Sequence, residues 1–230
     1  APTSTMGLIR RNYERKPAFY AFRQMVIKEG KIGSIEDDFG DPDYDGKYNS
    51  MIWDYKDDWQ TDAGSAFSMK GQLHIKAPNG NWSRAGLSTK NTVSCVNSSK
   101  MRTIKFKFDA LNEKDDGVLG IVTISDDTVT DDANFIKSDC LYIQLKKTDE
   151  RYIGISLYSR PEGDDKFKCL YQSGVDSFRV SSFPVKIEFR FNSDNYELYA
   201  SDKFVTKGLH TVSLSKSFAA RFSVWNHGQG

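Results

Sequence analysis

From residue 35 onward hydrophobic and polar positions alternate with a period of two, the spacing of a strand with one buried face. Val185, Ile187, Phe189 and Phe191 fall on one face, and Lys186, Glu188 and Arg190 on the other. The same rhythm runs through Leu73 and Ile75, through Leu141, Ile143 and Leu145, through Ile153, Ile155 and Leu157, and through Phe222 and Val224. Turn-forming clusters at 78–81, 112–117, 161–165 and 192–195 separate these runs. Roughly a dozen short strands at this spacing predict an all-β fold, two antiparallel sheets packed as a β-sandwich. The opening segment differs. Phe19, Phe22, Met25 and Val26 are spaced by three and four after Pro17, and Gly30 follows, so a short N-terminal helix is predicted there. The division expected is 1–30 as helix or linker and 31–230 as the sandwich domain.

Composition narrows the partners. In 230 residues, 32 Lys and Arg oppose 31 Asp and Glu, so no long-range field draws in nucleic acid or an anionic membrane. No run of 18 apolar residues occurs, and no signal sequence opens the chain, so a soluble domain is expected and any targeting segment falls outside this sequence. Cys95, Cys140 and Cys169 show no C-x-x-C spacing and cannot all pair, so no disulfide framework is expected. The 15 Phe, 11 Tyr and 4 Trp suit strands and stacking surfaces.

Two stretches carry a family resemblance. Gly7 to Met25, with its K-P-A-x-Y-A-F core, resembles the closing helix of a (β/α)8 glycoside hydrolase. The remainder is similar to concanavalin A-like jelly rolls, including laminarinases and carbohydrate-binding modules. The stretches that carry this likeness are D-D-F at 37–39, Trp53 or Trp59, G-Q-L-H-I at 71–75 and V-K-I-E-F-R-F-N-S-D-N-Y-E-L-Y at 185–199. Together they imply a module attached downstream of a glycosidase barrel, secreted or at the cell surface, that holds the covalently linked enzyme near its polymer. The helix is then a remnant of the barrel or a linker packed on the sandwich.

The residues argue against catalysis. Laminarinase-like sandwiches set acid and nucleophile about 5 Å apart on one central strand as E-x-D-x-x-E. The nearest match, Glu36, Asp38 and Asp41, ends in Asp and sits on what reads as the domain's opening strand, running into Gly40 and Pro42. Glu188 between Lys186 and Arg190 reads as a solvated surface. His74, His210 and His227 lack metal-ligand spacing, and no nucleophile elbow or nucleotide loop is present.

Binding is the better reading. Sugar rings stack their C–H face on aromatic side chains and need fixed polar partners for their hydroxyls, so such a site combines both on one sheet face. The non-core sets supply this combination: Trp82 and Arg84; Tyr142, Gln144 and Lys146; Tyr158 with Ser156 and Gly154; Arg221, Ser223 and Trp225. The expected site is the concave face of one sheet, with Trp82, Arg84, Tyr142, Gln144, Tyr158 and Trp225 as contacts. Of Trp53 and Trp59, one anchors the core and the other lines the groove rim. The resemblance adds a structural calcium at Asp37 and Asp38, weighed against a plain acidic turn. The expectation is thus a monomeric, non-catalytic module for a polysaccharide or oligosaccharide. The alternatives are a sandwich-fold glycosidase or lyase, or an accessory domain without ligand.

Overall fold

The computed structural model describes residues 37–57, 64–77, 83–90, 93–94, 99–109, 118–125, 139–147, 153–161, 164, 166–173, 184–214 and 217–226. These residues form fourteen strands: β1 (Trp53–Asp57), β2 (Ser65–Met69), β3 (Gln72–Lys76), β4 (Arg84–Thr89), β5 (Val93–Ser94), β6 (Arg102–Phe108), β7 (Val118–Ser125), β8 (Cys140–Lys147), β9 (Ile153–Arg160), β10 (Lys168–Gln172), β11 (Val185–Phe191), β12 (Asn195–Ala200), β13 (Lys203–Leu209) and β14 (Ser217–Asn226). One layer is ordered β1-β4-β14-β7-β8-β9-β10, with β5 also paired to β14. The other is β13-β12-β11-β6, and β2 and β3 make a separate hairpin. Every strand pairing is antiparallel.

The alternation read from the sequence places the core. Ile143 and Leu145 of β8 and Ile155 and Leu157 of β9 are buried against Ile187, Phe189 and Phe191 of β11 and Leu198 of β12. Each such side chain contributes roughly 1.5–3 kcal/mol by leaving water. The opposite parity of β11 behaves as a solvated surface. Glu188 accepts from Arg190 Nε at 2.6 Å and pairs with Lys105 Nζ at 3.1 Å, which together hold its carboxyl below the usual range. Turns fit their register: Ser201 and Asp202, between β12 and β13, have φ of 48° and 64°, the left-handed pair a two-residue hairpin requires.

Two sequence expectations change. Residues 37–52 are not a strand. Asp37, Asp38 and Asp41 each accept a backbone N–H two residues on, and Pro42 opens a 3-10 turn over Pro42–Tyr44, so local side-chain bonds replace a ladder. Leu73 and Ile75 lie in the separate hairpin and are only half-buried. The predicted helix and the division at residue 30 lie outside the described residues.

Candidate functional site

The larger sheet has two unlike faces. On β8, parity sends Leu141, Ile143 and Leu145 to the core and Tyr142, Gln144 and Lys146 to the outside. Cross-strand register then lines the outer residues up in three rows. Arg84, Trp225, Leu119, Lys146 and Gly154 form the first; Gly86, Ser223, Ile121, Gln144 and Ser156 the second; Ser88, Arg221, Thr123, Tyr142 and Tyr158 the third. Five of the sequence-nominated contacts, Arg84, Tyr142, Gln144, Tyr158 and Trp225, therefore share one face.

The rows carry two aromatic stations. In the first, the Arg84 guanidinium lies 4.6 Å from the Trp225 ring centroid, a cation–π contact. In the third, Tyr142 and Tyr158 stack with centroids 4.8 Å apart and planes 14° apart, and Phe167 meets Tyr142 edge-on at 5.3 Å. The Arg160 guanidinium covers Phe167 at 5.2 Å. Four residues along a strand and two strands across separate Trp225 from Tyr142, roughly 16 Å. Between the stations the face mixes apolar and polar groups: Leu119 and Ile121 are buried in a cluster with Cys140 and Tyr142, against which Tyr158 and Trp225 pack. Arg221, 2% exposed, donates from Nε to Ser88 Oγ at 3.2 Å, and Ser223 Oγ lies 3.5 Å from the Ile121 carbonyl. Two buried groups have no partner, Trp225 Nε1 and Thr123 Oγ1. Buried polar atoms are rarely left so.

Tyr142 is 6% exposed, beneath its aromatic neighbours, and burial followed by Tyr158 pushes its hydroxyl well above the usual phenol range. It supports the platform, and its partially exposed partner Tyr158 together with Phe167, 44% exposed, is the accessible part. Sequence reasoning missed Phe167, which precedes β10 outside any alternating run, and Thr123, which the parity of β7 does reveal.

No Asp or Glu occurs on β4, β14, β7, β8, β9 or β10, so the paired carboxylates of glycoside hydrolysis have no place on these strands. Asp54 of β1 is paired with Lys90 Nζ at 3.3 Å. Trp53 proves to be the core anchor of the opening tryptophans. It is 4% exposed on the inner side of the sheet, stacked on Phe39 at 6.1 Å and edge-on to Phe222 at 5.7 Å, and so does not belong to the outer face. Trp59, Trp82 and Glu36 lie outside the described residues.

At the acidic entry both carboxylates nominated for calcium accept N–H donors. Asp37 spends one oxygen on Trp53 Nε1 at 2.7 Å and the other on Phe39 N at 2.9 Å, while Asp38 Oδ1 accepts from Gly40 N. Among the described residues no three His, Cys, Asp or Glu side chains cluster to hold a metal. His74 stacks flat on Phe67 at 5.2 Å, and His210 places Nε2 3.0 Å from the Asn192 carbonyl, so both are packed into the structure.

No protein-family model matches the sequence, and no curated protein does either. Solved structures do. The chain is similar to the carbohydrate recognition domain of Emp47p, with 10% identity, TM-score 0.58 and 84% of this chain covered against 86% of that one. It is similar to the legume lectin-like domain from Entamoeba histolytica, with 14% identity, TM-score 0.52 and coverage of 78% and 84%. LamAcat from Zobellia galactanivorans aligns at 12% identity and TM-score 0.56 over 88% and 90%. At these identities the likeness shows the fold, and the fold is a lectin-like, concanavalin A-like β-sandwich.

Proposed function

We propose that this chain is a carbohydrate-binding domain that holds a polysaccharide on the outer face of its larger sheet and does not cleave it. The observation that carries the reading is the register that places Arg84, Gln144, Tyr158 and Trp225 on one face, with aromatic stations at both ends of a floor of mixed polar and apolar residues. Trp225 offers a partly exposed ring, and Tyr158 with Phe167 offers the second stacking surface. Gln144 and Arg84 supply amide and guanidinium partners for hydroxyls. The separation of the stations favours an oligosaccharide stretch over a single sugar. The lectin-domain neighbours support the same ligand class, since two of them are named for carbohydrate recognition or lectin likeness.

The carboxylate-free strands favour binding over hydrolysis, although one neighbour's fold serves LamAcat. Residues 7–25, with their glycosidase-like motif, support a linked glycoside hydrolase as the functional partner. The corresponding setting is a secreted or cell-surface enzyme whose monomeric module raises the local concentration of substrate. A structural calcium at Asp37 and Asp38 would stabilise the domain and leave the glycan contacts untouched.

The test is retention of wild type, Trp225→Ala and Tyr158→Ala on an insoluble or gel-embedded polysaccharide that wild type binds. Loss of one stacking partner should weaken retention about five- to tenfold, with little change in melting temperature. Undiminished retention in both variants removes the outer face as the site.

A further inference from the structure

A second opening lies on the other side of the larger sheet. Phe106 and Phe108 of β6 follow buried Ile104 at spacing two, and Phe222 of β14 stands opposite buried Leu87, so all three occupy core-facing positions. Yet each keeps solvent contact. They line a cleft of about 1270 Å³ between β6, β14 and the β2–β3 hairpin. The cleft lies at the edge of the smaller sheet, where, among the described residues, β6 has a strand partner on one side only. Its wall is a chain of edge-on rings: Trp53 to Phe222 at 5.7 Å, Phe222 to Phe106 at 5.7 Å and Phe106 to Phe108 at 5.6 Å.

The polar groups of this cleft are largely matched. Lys107 pairs with Asp109 at 2.7 Å, Lys105 with Glu188, and Asp37 with the Trp53 indole. Arg102 is the exception. It shares the inward parity of Ile104 and Phe106, and its Nε is buried without a hydrogen-bond partner; His74 Nε2, also in the wall, is in the same state. An inward guanidinium with an unmet N–H, lining the same cleft as the aromatic rings, is costly when empty and complementary to a carboxylate carried on a flat apolar body.

We propose that this interlayer cleft binds an aromatic carboxylate, its rings against Phe106 and Phe222 and its acid on Arg102. The site is separate from the glycan face and stands whether or not that face binds sugar.

Isothermal titration of the full chain with 2-naphthoate and with the neutral 2-naphthalenemethanol tests it, using wild type, Arg102→Gln, Phe106→Ala and the milder Phe106→Leu. Wild type should bind the acid at least about tenfold more tightly than the alcohol. Arg102→Gln should abolish that preference while leaving the alcohol unchanged, and both Phe106 variants should weaken both ligands. Equal binding of acid and alcohol to wild type, an acid preference that survives Arg102→Gln, or no binding to the full chain overturns the proposal. So does a chain self-association, seen by sedimentation, that naphthoate fails to reverse, because a second copy then fills the cleft. Polysaccharide retention should be unaffected by saturating naphthoate; competition would place the acid on the outer face and overturn the assignment as well.

Discussion

Trp225 and Tyr158 differ from the core aromatics in what surrounds them. Trp53 has its ring enclosed and its indole N–H bound to Asp37, whereas Trp225 has an arginine on its face and an N–H with no partner. Removal of the first should therefore cost stability, and removal of the second should cost binding. Trp53→Ala is expected to lower stability by about 3–5 kcal/mol in denaturant unfolding, while Trp225→Ala changes it far less. His210 gives a prediction of a different kind. It is buried, with Nε2 on the Asn192 carbonyl, and burial lowers its pKa, with Asp194 opposing. Its folded pKa thus lies below the ordinary value of about 6.5, so the unfolded chain binds the proton more readily in between. The stability it contributes is complete above about pH 6.5 and is lost as pH falls toward the folded pKa. Melting temperature should drop between pH 7.5 and 5 more in wild type than in His210→Gln; parallel curves would show that His210 carries no such linkage.

Between strands, Gly86 of β4 leaves no room for a side chain against β14. A Cβ at this position would stand 2.3 Å from the Phe222 carbonyl oxygen and 2.8 Å from Ser223, contacts that only backbone movement relieves. Gly86→Ala should lower stability by about 1–3 kcal/mol and shift the neighbouring row of the outer face, reading out as a lower denaturant midpoint together with weaker glycan retention. The sequence cannot reveal such a site, because the clash depends on which strand lies alongside. What it does reveal is parity. The assignment of Tyr142, Gln144, Tyr158 and Trp225 to one non-core side follows from a period of two, and the register across β14, β7, β8 and β9 aligns them as expected. Parity does not report depth, which is why Tyr142 reads as a contact and proves to be a support beneath Tyr158 and Phe167. Nor does it foresee the acidic entry, where Asx bonds at Asp37, Asp38 and Asp41 outcompete a strand, or Phe167, which lies outside a periodic run.

In the assembled sandwich, the two faces of the larger sheet differ in what they pack against. The two layers meet over a buried core centred on β8, β9 and β11, while the outer face of the larger sheet carries a smaller buried cluster of its own, Leu119, Ile121, Cys140 and Tyr142, against which Tyr158 and Trp225 pack. Trp225, Tyr142 and Tyr158 stand on that sheet's ladder, and β4, β14, β7, β8, β9 and β10 carry no Asp or Glu. The lectin-like neighbours share this architecture at 10–14% identity, where spatial arrangement survives and sequence signatures do not. The most direct measurement is native affinity electrophoresis of the whole chain through gels cast with a panel of neutral and acidic polysaccharides, with reducing ends and unsaturated products assayed on the same mixtures. Selective retardation by at least one polysaccharide, without product release, is the predicted result. Release of new chain ends, or free migration through every gel, would contradict a non-catalytic glycan-binding domain.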